Sequence, residues 1–200
     1  MKKLLAILAA VILVVLFASC VSMTVQRVST DTVTDLSGRW NDTDAQLVSE
    51  QMVKEMLEKP WLAGFLKEHG KEPRIIVGTI ENKSDEHIEI AAFRKDIENQ
   101  LTNAGSVKFV MSKEEREEMR AEREDMQEYS SDKTKKNFKN ETAADYMLKG
   151  VLTSIVDAVP GKKAVYYEVD LELWNTETNE KEWVGQKKIK KIIDRDAVGF

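Results

Sequence analysis

The sequence predicts a mixed α/β fold: a mixed sheet built from a strand-helix-strand unit and an antiparallel three-strand meander, with helices packed on the sheet. Three observations predict it. Ile90, Phe93, Ile97, Leu101 and Ala104 step by three, four, four and three, which is one face of an amphipathic helix, and that helix stands between two short apolar runs. Val165, Tyr167, Val169, Leu171 and Leu173 alternate with Tyr166, Glu168, Asp170, Glu172 and Trp174, the period of a strand with one covered and one solvated face. Pro160-Gly161 before this strand and the polar run 175–180 after it supply two tight corners.

The chain opens with Lys2 and Lys3, an apolar run from Leu4 to Phe17, and the small pair Ala18-Ser19 ahead of Cys20, its single cysteine. This is the anatomy of a secretory signal peptide. The apolar run is shorter than the roughly 20 residues of a permanent bilayer helix. A cysteine directly after the small pair resembles a bacterial lipobox, with Phe17 where Leu is usual, so residues 1–19 read as a lipoprotein signal peptide and Cys20 as the lipidated first residue of the mature chain. An uncleaved anchor and an incidental cysteine are the competing readings. With no second cysteine the exported domain has no disulfide and depends on its core. Val21 and Ser22 follow, and the absence of Asp after the cysteine points to the outer membrane by resemblance to Gram-negative sorting rules.

Residues 20–34, rich in Ser, Thr and Val without a helical stripe, read as a short tether with room for an edge strand. About 15 residues extend to at most ~50 Å and span nearer ~20 Å as a coil. A single domain is expected over residues 35–200. It starts with a turn-rich stretch, Asp35 to Asp42, in which Asp42 or Thr43 is expected to cap a helix. Ala45, Val48, Met52 and Met56 carry that helix until Lys59-Pro60 breaks the pattern. Residues 61–68 make another helical turn before Gly70. Residues 74–80, with Ile75, Ile76, Val77 and Ile80, form a buried strand. Ser84 or Asp85 is expected to cap the amphipathic helix that ends at Asn103-Ala104-Gly105, and 107–111 return as a strand parallel to the first.

Residues 113–128 form a densely charged helix with little apolar face, along which Glu117–Arg120 and Arg120–Glu124 pairs are expected. Residues 130–140 carry a loop and a short helix. Residues 146–156, 165–174 and 182–193 then make the three strands of the meander. A register that sets Asp170 opposite Lys188 and Glu168 opposite Lys190 is expected to pair the charges of the last two strands.

The net charge of -5 and 32% charged residues give no basic field for nucleic acid. His69 and His87 are the only histidines, and neither sits in a catalytic or metal-binding motif. Walker and dinucleotide loops are absent from the sequence. Glu168, Asp170 and Glu172 have the residue types of a glycan-cleaving cleft, but alternating carboxylates on a solvated strand ordinarily pair across the sheet. No enzyme and no cofactor are expected, apart from covalent lipid on Cys20. Trp174 and Trp183 flank one hairpin turn, and an aromatic contact patch there competes with the commoner reading of such rings as core or edge packing. With Arg116, Arg120 and Arg123 on the charged helix, they make up the candidate partner-binding surface.

Several collinear blocks resemble one family. They are Asp35-Leu36-Ser37-Gly38-Arg39-Trp40-Asn41-Asp42-Thr43-Asp44, Ile76-Val77-Gly78, and Glu81-Asn82-Lys83-Ser84-Asp85-Glu86-His87-Ile88. Glu115-Arg116-Glu117-Glu118, Glu122-Arg123-Glu124-Asp125, Ala144-Asp145-Tyr146-Met147-Leu148-Lys149-Gly150, and Trp183 ahead of Lys188-Ile189-Lys190-Lys191 follow in order. Together they are similar to the LpoB-like lipoprotein activators of penicillin-binding proteins. The resemblance implies a monomeric outer-membrane lipoprotein on the periplasmic face. Its domain, similar to the N-terminal domain of TolB, binds a docking domain of a class A penicillin-binding protein and stimulates it, without catalytic residues of its own. The short tether departs from the long disordered tether of the best-known activators. The alternative is therefore a structural or assembly lipoprotein related in fold to the curli exporter, with a different protein partner.

Overall fold

The computed structural model describes residues 24–30, 32–136 and 139–194. The chain divides into two compact units, with the boundary between Thr32 and Val33. The described residues of the first unit are irregular and exposed, without an edge strand; the Thr32 N–H donates to the Ser29 carbonyl at 3.0 Å. The expected signal peptide, residues 1–19, and Cys20 lie outside the described residues.

In the second unit the order is α1 (Asp42–Leu57), α2 (Pro60–His69), β1 (Arg74–Lys83), α3 (Ile90–Ala104), β2 (Lys108–Phe109), α4 (Lys113–Tyr129), β3 (Tyr146–Val159), β4 (Lys162–Asn175) and β5 (Lys181–Asp194). The five strands form one sheet in the order β2-β1-β3-β4-β5. β1 is parallel to β2 and β3, whereas β3, β4 and β5 are antiparallel. The mixed sheet predicted from sequence is therefore present, and α3 is the crossover that parallel β1 and β2 require.

One face of the sheet carries the core. Val165, Tyr167, Val169, Leu171 and Leu173 of β4 are buried with Ile75, Val77, Leu148 and Leu152. α1 packs on α3 and β5, and α3 on β1 and β2, turning Val48, Met52, Met56, Phe93, Ile97 and Leu101 inward. Each such buried side chain contributes on the order of 1.5–3 kcal/mol before conformational entropy is counted. α2 closes the start of β3: Trp61 and Phe65 meet Tyr146 edge-on, and the Trp61 indole N–H donates to the Met56 carbonyl at 2.8 Å.

Several local expectations change. The cap of α1 is Asn41 rather than Asp42 or Thr43, because its side chain accepts from the Asp44 N–H while the Asp44 carboxylate accepts from the Asn41 N–H, a reciprocal capping box. α2 is a full helix of 10 residues with Pro60 in its first turn, where a missing N–H costs nothing. Ser84 and Asp85 do not cap α3; they turn the chain after β1, and Glu89 caps the helix by accepting from the Ala91 N–H. The parallel return strand is two residues long, because the chain leaves the sheet for the α4 cap at Ser112. Between Tyr129 and Tyr146 the described residues hold turns and no helix. The meander corner is tight, with Val159 paired to Lys162 and Gly161 at φ 81°, a left-handed conformation open to glycine.

Candidate functional site

The charged helix α4 has no buried residue. Its start is fixed by a capping box in which Ser112 accepts from the Glu115 N–H and Glu115 accepts from the Ser112 N–H. The pairs expected along the helix give way to a tertiary one. Arg120 forks onto Glu141 through Nε (2.9 Å) and Nη2 (2.7 Å), and Arg123 Nη1 joins it at 2.8 Å. A planar guanidinium matches a carboxylate across two parallel bonds, and the chain ahead of β3 brings the Glu141 carboxylate to Arg120. The Arg120 hydrogen bonds hold the Glu141 carboxyl down at about 2, and Arg123 adds to the effect. Arg116 lines a cavity of about 280 Å³ with Arg74, Phe109, Arg123 and Glu141, and its buried Nε has no hydrogen-bond partner among the described residues.

The aromatic patch does not form as expected. Trp183 lies opposite Leu173 on the core face and is 5% exposed, its indole against Gly185. Trp174 sits on the other face, where Lys181 Nζ lies 4.7 Å above its ring and its indole N–H donates to Glu172 at 3.0 Å. The reason is the strand period: Trp174 follows the core-facing Leu173, so its side chain turns outward, while Trp183 shares Leu173's face. Of the two, Trp174 alone lies on the solvated face.

The expected β4–β5 register is displaced by two residues. Glu168 lies opposite Lys188, with 3.5 Å between charges, and Asp170 lies opposite Gln186, which donates to it at 2.8 Å. A shift of two preserves the faces, so the charges remain on the solvated side. Those carboxylates are thus occupied as partners across the sheet. Both histidines are exposed, His69 against the Phe65 ring. Among the described residues no group of three or more His, Cys, Asp or Glu is arranged to hold a metal ion.

One cluster escaped the sequence reading. Lys191 Nζ lies 2.6 Å from Asp35 Oδ1 and from Asp44 Oδ2 and donates to the Arg39 carbonyl at 3.0 Å. Asn41 ties the same segment through Nδ2 to the Thr34 carbonyl and to Asp35. Trp40 seats it by meeting Phe93 and Tyr167 edge-on while its N–H donates to Glu86. The chain from Thr34 to Asp44 is therefore clamped onto β5 and the core. Period-two counting back from Ile193 through Lys191 and Ile189 was the available signal, because it puts Lys191 on the covered face.

The fold and these surfaces define a mixed α/β domain without a metal-binding cluster among the described residues. The family model for the peptidoglycan-synthase activator LpoB matches residues 44–189, and the chain belongs to this family, whose members activate a synthase. The chain is similar to the C-terminal domain of LpoB from Escherichia coli at 15% identity and a TM-score of 0.45, over 73% of this chain and 98% of that one. The corresponding domain from Salmonella enterica gives 15% identity and a TM-score of 0.43, with coverage of 73% and 98%. Lipoprotein GNA1162 from Neisseria meningitidis gives 10% and 0.37, with coverage of 60% and 83%. No curated protein matches the sequence.

Proposed function

We propose that this protein is an outer-membrane lipoprotein, anchored on the periplasmic face by acyl chains on Cys20, that binds and stimulates a class A penicillin-binding protein and so regulates peptidoglycan synthesis. The observation that carries this reading is the family match across residues 44–189. In it, residues 1–19 are the signal peptide, 20–34 the tether and 35–200 one domain with a TolB-like arrangement of sheet and helices. The protein contributes no reacting group. Activation by such a domain is differential binding, in which contact with the synthase favours the synthase's active conformation.

The proposed contact surface centres on Arg116, Arg120 and Arg123 of α4, with Trp174 at the end of the last hairpin. Trp183 supports Trp174's strand from the core side. Tryptophan and arginine are among the residue types that dominate binding energy at protein interfaces. Incubation of the protein with the organism's class A penicillin-binding proteins is expected to give a captured complex and faster glycan polymerisation. Absence of both capture and stimulation would overturn the reading. The short tether favours one alternative, a structural or assembly role with a partner close to the outer membrane, since a coil of this length spans only ~20 Å. Capture of an outer-membrane protein in place of any synthase would support that alternative.

A further inference from the structure

We infer that the open edge of β1 is a docking slot in which an extended, acidic segment of the partner adds a strand to the sheet. The inference rests on the activator reading and names how the contact is made. β1 runs for 10 residues, yet β2 pairs with it only at Arg74 and Ile75. The bond from the Val110 N–H to the Ile75 carbonyl, 2.9 Å, is the last main-chain bond on that side among the described residues. Beyond it the place beside β1 is vacated, because the chain turns away into α4.

The vacated place is a groove of about 500 Å³, with β1 from Ile76 to Ile80 along one side and the first turns of α3 and α4 around it. Five residues of edge correspond to ~16 Å of extended peptide. The two edges of the sheet are guarded unequally. β5 carries Lys187, Lys188, Lys190 and Lys191, the kind of charge that discourages strand addition, whereas Ile76-Val77-Gly78-Thr79-Ile80 has neither charge nor proline.

The rim fixes the chemistry of the occupant. Arg94, Lys113 and Arg116 line the groove against one carboxylate, Glu114. Arg94 shares only its Nε with Glu98, at 3.0 Å, and the Arg116 Nε is buried without a partner among the described residues. An incoming strand takes its affinity from main-chain bonds to the edge and its specificity from alternate side chains. Here the alternate side chains that meet the rim are carboxylates.

The test is hydrogen exchange on the full-length, detergent-solubilised protein, alone and with a purified class A penicillin-binding protein of the same organism. Exchange within residues 76–80 is expected to slow at least ~10-fold on binding. Arg94→Gln with Arg116→Gln is expected to weaken binding ~10-fold or more, and the wild-type exchange map gives a readout that needs no variant to fold. Binding without protection of 76–80 overturns the slot and leaves the activator reading standing. Protection that the double substitution leaves unchanged overturns the acidic occupant. Absence of binding overturns both readings.

Discussion

Lys191 leaves β5 on the core face and ends between two carboxylates, 2.6 Å from an oxygen of Asp35 and of Asp44, with 9% of its surface exposed. Burial pushes its ammonium pKa down, but the hydrogen bonds it donates to Asp35 and Asp44 outweigh that and the net direction is up. A raised lysine pKa stabilises the fold fully below the unfolded value near ~10.4, and the contribution fades as pH rises through the folded value. Replacing Lys191 with Met leaves Asp44, itself 4% exposed, charged and without its cation. A loss of about 3 kcal/mol is expected in urea unfolding. Asp35→Asn should cost clearly less, because Asp35 is exposed and a second carboxylate remains for Lys191. A Lys191→Met protein as stable as wild type would show that the cluster contributes nothing.

α4 illustrates a helix held by its ends and edges rather than by a buried stripe. Its attachment to the chain before β3 runs through Glu141, whose carboxyl is held down at about 2 by Arg120 and Arg123. A depressed carboxylate pKa contributes above the unfolded value near ~4.3 and is lost as pH falls from there through about 2. Glu141→Gln is expected to raise amide exchange along α4 while exchange in β3 and β4 stays as it is; unchanged exchange in α4 would refute the clamp. In β5 the constraint is packing. A Cβ on Gly185 meets the Trp183 indole, and that ring, 5% exposed, has no room to swing away. Gly185→Ala should therefore cost about 1–3 kcal/mol in thermal or urea unfolding. Trp183→Phe in the same chain should recover part of the loss, and additive losses from the two changes would argue against the contact.

At the scale of the whole molecule, the proposed lipid anchor and the folded body have separable roles. Each buried methylene of an acyl chain contributes about 0.8 kcal/mol to membrane attachment, and stable anchoring takes more than one chain. Cys20→Ala is expected to release the protein from membranes in fractionation while its melting temperature is unchanged; retention would point to the uncleaved apolar segment. The sequence by itself determined what periodicity and turn chemistry determine: α3, the alternating β4, the Pro160-Gly161 corner, the mixed sheet and the blocks that carry the family. It left to tertiary structure whatever depends on which side chains meet across long separations in the chain. Local charge spacing pointed Arg120 at Glu117 and Glu124, and a carboxylate 21 positions away took it, brought there by the chain ahead of β3. Symmetry under a two-residue slip hid the β4–β5 register, since either alignment keeps the same faces. Neither strand pattern nor composition marks where a strand is cut short, so the two-residue β2 and the open edge of β1 appear only once the chain is seen turning into α4. Lys191 stands between these cases: strand period places it inward, and only the return of residues 35–44 over β5 supplies the charges that let it stay there.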